Sequence, residues 1–306
     1  MNTGPLTVGI AVALTLVAGP LWLGVTGLMQ ARRVSAAAVL PPATPWNWTL
    51  TINSALLYAL AFNLTFFIQE LFLVLPKALT PGLRPTLFHN NHTWQGDNPL
   101  ANLLQGTGAL AILLSGLVCA VLLRRGPGRS LTLRLFLVWM SYNGIFQSLP
   151  QVVVGAINPR NDVGMAMGYL GLTATARTLA ALVALAAMPA AALWLARPLL
   201  NLAGNPACTA SARARTRFVF RVATLPAVSA ILLIIPFRIP REFVEVVVVP
   251  AVVTVTGLAW LQAGAWRVSG VKPSGGTGCG SIAYPLTALL ILLIAFQLIL
   301  RPGIRF

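Results

Sequence analysis

Long apolar runs separated by short polar connectors dominate this chain. Eight runs approach or exceed the roughly 20 apolar residues that cross a bilayer: residues 6–29, 50–75, 100–123, 131–157, 164–196, 218–237, 243–261 and 282–300. Lipid offers no partner for backbone N–H and C=O groups, so each run is expected to be a helix. The Val-rich stretch 244–249 would suit a strand in water, but inside a long apolar run the helical reading wins. The expected fold class is all-α, a polytopic transmembrane helix bundle of about eight spans, seven to nine, forming one integral membrane domain over residues 1–306. The fifth run is too long for one crossing: its 33 residues would span about 50 Å at 1.5 Å per residue. Division into a short segment at 164–176 and a span from about Thr178 would put Arg177 near an interface.

Composition agrees with lipid as the solvent. Of 306 residues, 57% are hydrophobic and only 8% charged, against about 25% charged in a soluble domain. The net charge of +16 comes from residues dispersed between apolar runs, so it points to membrane faces and not to nucleic acid. One set of alternate connectors carries thirteen Lys and Arg, the other set with the C-terminal tail carries seven, and Arg177 lies inside the fifth run. The richer set is expected to be cytoplasmic. That makes 124–130, 197–217 and 265–281 cytoplasmic loops, 76–99 a long outer loop, and both termini outer. Trp46, Trp48, Trp194 and Trp266 then fall at cytoplasmic span ends, where aromatic anchors belong. Heavy use of Ala, Leu and Arg suggests a bacterial source and an inner-membrane location. The first run has no basic residue before it and is longer than a signal-peptide core, so a retained span is expected. Of the three cysteines, Cys119 lies in a span, and Cys208 and Cys279 in cytoplasmic loops; no disulfide is expected. The Gly-rich GGTGCGS stretch lacks the Lys of a phosphate-binding loop. No internal repeat is visible.

Both histidines and all five acids lie on or near the outer side. Ionisable groups are costly at membrane depth, so those retained mark candidate chemistry. Glu70 sits among aliphatic and aromatic residues about one turn from a span end. It is a candidate general base, proton carrier or ligand, or a structural carboxylate paired with a cation, for which Arg177 is the first choice. His89 and His92, three apart, can share one face of a helical turn; with Asp162 they form a candidate metal set, with zinc as the candidate ion. Asp162 also suits a helix N-cap. Glu242 and Glu245 are expected to pair locally with Arg238 and Arg241. Asn143, Gln147 and Gln151 recur every four residues, a stripe that should face other helices, either lining a path or holding the bundle together.

Around Glu70 the chain resembles the site-2 protease family of intramembrane zinc proteases, over about residues 50–175. Gln69-Glu70-Leu71-Phe72-Leu73 is similar to the family's HExxH helix. Asn158-Pro159-Arg160-Asn161-Asp162-Val163-Gly164 is similar to its later Asp-bearing segment, and Asn98-Pro99-Leu100-Ala101-Asn102 to a segment between them. Gln69 and Leu73 stand where that family carries histidine ligands. The resemblance therefore implies a related scaffold that is catalytically silent or altered, with other membrane proteins as candidate partners beside the lipid bilayer. Two rival readings stand beside it: an outer-face metal-dependent hydrolase using His89, His92, Asp162 and Glu70, and a transporter or channel with a polar path along the fourth span.

Overall fold

The computed structural model describes residues 4–35, 45–125, 130–273 and 280–306. Connector 126–129 with Arg129, the Gly-rich stretch 274–279 with Cys279, and the side chain of Arg33 lie outside the described residues. The expected apolar runs are helices: α1 (Gly4–Arg32), α2 (Trp48–Ala78), α3 (Leu100–Arg125), α4 (Leu131–Ile157), α5 (Asp162–Tyr169), α6 (Ala174–Leu200), α7 (Ala212–Arg238), α8 (Val244–Arg267) and α9 (Ala283–Leu300). Seven of them are long and apolar enough to cross a membrane. Helix α4, read from sequence as an eighth equivalent span, is not among the seven. Its polar stripe lowers its hydropathy, and it lies deepest: every residue from Leu137 to Ser148 is buried. The fifth run divides into α5 and α6 as expected, but the break falls at 170–173, a few residues earlier than the expected one, so Arg177 lies in the first turn of α6. Large apolar side chains such as Trp22 (74% exposed), Leu232 (71%) and Val183 (69%) form the outer surface, which only an apolar solvent tolerates over so large an area. The chain is a multi-pass membrane protein of the all-α class.

Helices α3 and α4 pack with their backbones in contact. A Cβ on Gly144 would meet Gly116 Cα and the Ile112 carbonyl oxygen, each at 2.6 Å. Small residues allow such crossings, where dispersion and polar contacts replace the missing hydrophobic drive. Aromatic packing then fills the centre, with Trp139 edge-on to Tyr58 at 4.9 Å between ring centroids.

Prolines shape three of the helices in one way. A proline inside a helix supplies no N–H and crowds the carbonyl four residues back, so the turn before it opens. Ahead of Pro20, Pro226 and Pro250 the chain makes a wide turn, in which Gly19, Leu225 and Val249 donate five residues back to Leu14, Phe220 and Val244. Each wide turn frees the next carbonyl, and a neighbouring helix takes it. Trp260 Nε1 of α8 donates to Thr15 at 2.8 Å. Thr51 Oγ1 of α2 donates to Arg221 at 3.0 Å. Arg238 Nε of α7 donates to Glu245 at 3.2 Å. Pro226 also leaves the Val222 carbonyl without its helical donor, and Ser54 Oγ supplies one at 2.5 Å.

The connector at 76–99 is more ordered than its four prolines suggested. Helix α2 runs on through Pro76, and β1 (Arg84–Leu87) and β2 (His92–Gln95) then form an antiparallel hairpin. The tail adds β3 (Ile304–Arg305), pairing Leu87 with Ile304. At the hairpin base only glycine fits: Gly96 has φ +106°, and a Cβ there would lie 1.8 Å from the Gly82 carbonyl oxygen. The hairpin caps the end of the bundle where α2 and α7 finish and α6 begins.

Candidate functional site

Strand alternation gives β2 one inward face, carrying His92 and Trp94, while Thr93 and Gln95 are exposed. The two inward rings stack at 5.9 Å. Beneath them, α2 presents Glu70 and Lys77, two turns apart on one face and both buried. His92 Nδ1 lies 2.8 Å from Glu70 Oε2, and His92 Nε2 lies 3.0 Å from Gln105 Oε1. Gln105 occupies a break in α3 between Leu104 and Thr107. Lys77 Nζ donates to Gln105 Oε1 at 2.7 Å and to the Leu73 carbonyl at 2.8 Å. It also sits 4.7 Å from the centre of the Trp94 ring.

This network fixes a proton count. The Lys77 ammonium only donates, so the Gln105 atom it meets is the amide oxygen. That oxygen only accepts, so His92 Nε2 carries a proton. The Nδ1–Glu70 contact then holds a second proton, carried either by the imidazolium or by the carboxyl. The pair has zero net charge either way and becomes an anion when this proton leaves.

Two further charges approach the pair. Asp162 lies within electrostatic reach of Glu70, His92 and Lys77. Burial pushes its carboxyl above the ordinary range and Glu70 adds to this, while His92 and Lys77 pull it back. Arg238 closes α7 behind Glu70, buried, with its guanidinium carbon 4.0 Å from the Phe66 ring centre. Its Nη1 is buried and has no hydrogen-bond partner.

Several expectations need correction. Arg177 is not the partner of Glu70: its Nε donates to the Leu172 carbonyl at 3.0 Å, because the first turn of α6 curls its side chain back over the preceding loop. Asp162 is not the N-cap of α5; Asn161 is, its side chain accepting from Val163 N–H. His89 and His92 do not share a helical turn, since the hairpin reversal separates their rings. His89 Nε2 donates to the Ile239 carbonyl at 3.0 Å, away from Glu70. Of the acids near Arg238 and Arg241, Glu245 forms the ion pair, with Arg241. Arg238 uses the Glu245 backbone instead of its carboxylate.

Nor does the arrangement fit zinc. Gln69 Oε1 accepts from Gln151 Nε2 at 2.8 Å, and Leu73 is apolar, so the two positions where the site-2 protease family has histidines supply no ligand. Among the described residues no group of three or more His, Cys, Asp or Glu is placed to hold a metal ion. The proposed set of His89, His92 and Asp162 is therefore not assembled. Chain comparison adds no template. No family model, curated protein or solved structure matches.

The polar stripe does face other helices. Gln151 meets Gln69, and Gln147 Nε2 donates to the Phe62 carbonyl at 3.2 Å and to Asn143 Oδ1 at 3.3 Å. Further along the same seam, Thr254 gives its proton to Pro250, so Tyr58 donates to Thr254 at 2.7 Å. Trp139 Nε1 donates to Ser54 at 3.0 Å, and Asn53 Nδ2 to the Gly280 carbonyl at 3.0 Å. Hydrogen-bonding side chains thus recur from Glu70 to the opposite end of α2. Sequence reading missed Lys77, Gln105 and Arg238. Lys77 was the most legible of them, being one of only two lysines and seven residues from Glu70.

His89 gives a pH prediction. Burial lowers its pKa below the ordinary 6.5, the Ile239 carbonyl opposes this, and Arg301, Arg238 and Arg241 add to it. The folded state thus resists a proton that the unfolded chain accepts, so stability falls as pH drops below about 6.5. Thermal melts of solubilised protein at pH 7 and pH 5 should show this loss, and His89→Gln should reduce it. An unchanged pH slope in the variant would count against the assignment.

Proposed function

We propose that this membrane protein moves protons, in a transport cycle, through the Glu70–His92 pair and the polar seam between α2 and α4. The observation that carries the reading is the contact set at His92, whose Nε2 faces the Gln105 oxygen while its Nδ1 shares one proton with Glu70. The seam supplies a succession of groups able to pass hydrogen bonds, but its side chains are close-packed, with Asn53, Tyr58, Asn143 and Thr254 fully buried. On this reading the arginine-rich face is cytoplasmic, the hairpin face and both termini are outer, and the host membrane is a bacterial inner membrane.

The test is proton flux into proteoliposomes after an imposed pH step, followed with an internal dye. Wild type should dissipate the step faster than protein-free vesicles, and Glu70→Gln should slow it at least tenfold. Equal rates in wild type and empty vesicles, or in wild type and Glu70→Gln, would defeat the proposal.

One observation supports a second reading, the silent site-2-protease-like scaffold. Asp162 and Glu70, 92 positions apart in sequence, come within electrostatic reach of each other, as the resemblance requires. A scaffold that only holds other membrane proteins would keep its cellular effect in Glu70→Gln, whereas a proton carrier would lose it.

A further inference from the structure

At the end of the bundle away from Glu70, four helix ends converge on a cavity of about 980 Å³. Arg124 lies in the last turn of α3, Arg134 in the first turn of α4 and Arg197 in the last turn of α6, and Arg267 ends α8. With Lys272 from the following loop, they make five cations in one concavity. No acid lines it. The chain's five carboxylates, at Glu70, Asp97, Asp162, Glu242 and Glu245, all belong to the hairpin end.

The only ion pairs among the described residues are His92–Glu70 and Arg241–Glu245. The cavity's cations make weaker local contacts. The Arg124 guanidinium carbon sits 5.2 Å from the Trp194 ring centre, Arg197 Nη2 donates to the Ser269 carbonyl at 3.1 Å, and Arg267 lies 5.8 Å from the Trp266 ring centre. These contacts orient the guanidinium groups without neutralising them. Retaining cations on one membrane face explains why arginines occur here. It does not explain their convergence on a single cavity. Arg124, Arg197, Arg267 and Lys272 are exposed, so their guanidinium and ammonium groups are screened by solvent yet open to an incoming anion, with no carboxylate of the chain beside them.

Guanidinium forks match phosphate oxygens in pairs, and that favours a phosphate group over a lone halide. Leu193, Trp194 and Val268 give the wall an apolar part beside the cations, and Asn201 and Ser269 add polar groups. A ligand with an anionic head and a greasy body fits both halves.

We propose that this cavity binds a phosphate-bearing anion, either the headgroup of an anionic lipid or a soluble phosphate compound. The site stands apart from the proton pair and does not depend on it. The test is native mass spectrometry of the full chain released from detergent, with phosphatidylglycerol or phosphatidylcholine added, and with inorganic pyrophosphate as competitor. Phosphatidylglycerol adducts should exceed phosphatidylcholine adducts at least tenfold. The double variant Arg124→Gln/Arg197→Gln should lose that preference, whereas Arg32→Gln/Arg213→Gln, basic positions outside the cavity, should keep it. Lipid adducts that resist pyrophosphate assign the lipid; pyrophosphate that binds and displaces them assigns the soluble anion. The proposal is overturned if wild type shows no preference between the lipids and no pyrophosphate adduct. Equal loss in the two double variants overturns it as well. The wild-type comparison stands even if a cavity variant fails to fold.

Discussion

Glu70→Leu should lower the unfolding free energy by about 3–5 kcal/mol, the usual cost of stranding one partner of a buried charge pair. His92 Nδ1 would lose its hydrogen-bond partner, and the hairpin would lose its most direct polar tie to α2. Arg238, already buried with an unpartnered Nη1, would lose one of the two carboxylates within its electrostatic reach. Glu70→Gln should cost much less, because a side-chain amide still offers His92 an acceptor. The measurement is a double-mutant cycle on thermal or denaturant unfolding in detergent, with His92→Phe as the second arm. Glu70→Leu/His92→Phe should be more stable than the sum of the two single losses predicts. Additive losses would mean that the pair contributes no coupling energy.

Gly144→Leu should abolish the native fold. The side chain would enter where Gly116 Cα and the Ile112 carbonyl already stand, at 2.6 Å from the first added carbon. Both obstacles are backbone, so no rotamer change makes room, and α3 would have to leave α4. Overpacking against flexible side chains typically costs about 1–3 kcal/mol; here the obstruction is rigid, and the expected result is loss of the monodisperse peak in size-exclusion chromatography. Gly144→Ala should already lower the melting temperature. Gly9, in open surroundings, is the control: Gly9→Ala should be neutral or slightly stabilising, since alanine restricts the unfolded chain. A well-folded Gly144→Leu variant would show that the close crossing is not required.

What could be read from sequence was what local pattern determines. Apolar run length gave the helices, and the excess length of the fifth run announced a break, which falls at 170–173 and not at Arg177. Four-residue spacing placed Gln147 and Gln151 against neighbouring helices. The site was only half legible, because its geometry depends on pairings far apart in the chain. His92 reaches Glu70 through a hairpin whose outer edge is stapled by Ile304, more than two hundred residues later. No local pattern in HNNH announces a turn that sends its two rings to different neighbours. The four-helix convergence of arginines was equally hidden, since loop charge counts sum over a face without locating anything on it. Helix α4 shows the opposite limit: its length suggested one more span like the others, and only its polar stripe, read as facing other helices, hinted at its place at the centre of the bundle.

The three opened turns restrict how this bundle can move. Because Thr15, Arg221 and Glu245 each lend a carbonyl to a neighbour, α1, α8, α7 and α2 are fastened in a row, each to the next. A fastener near one point of a rod blocks sliding and screwing but leaves tilting about that point. Helices α7 and α8 are each held at two separate points, Arg221 with Arg238 and Glu245 with Trp260, so sliding either one past its neighbours would require breaking these bonds.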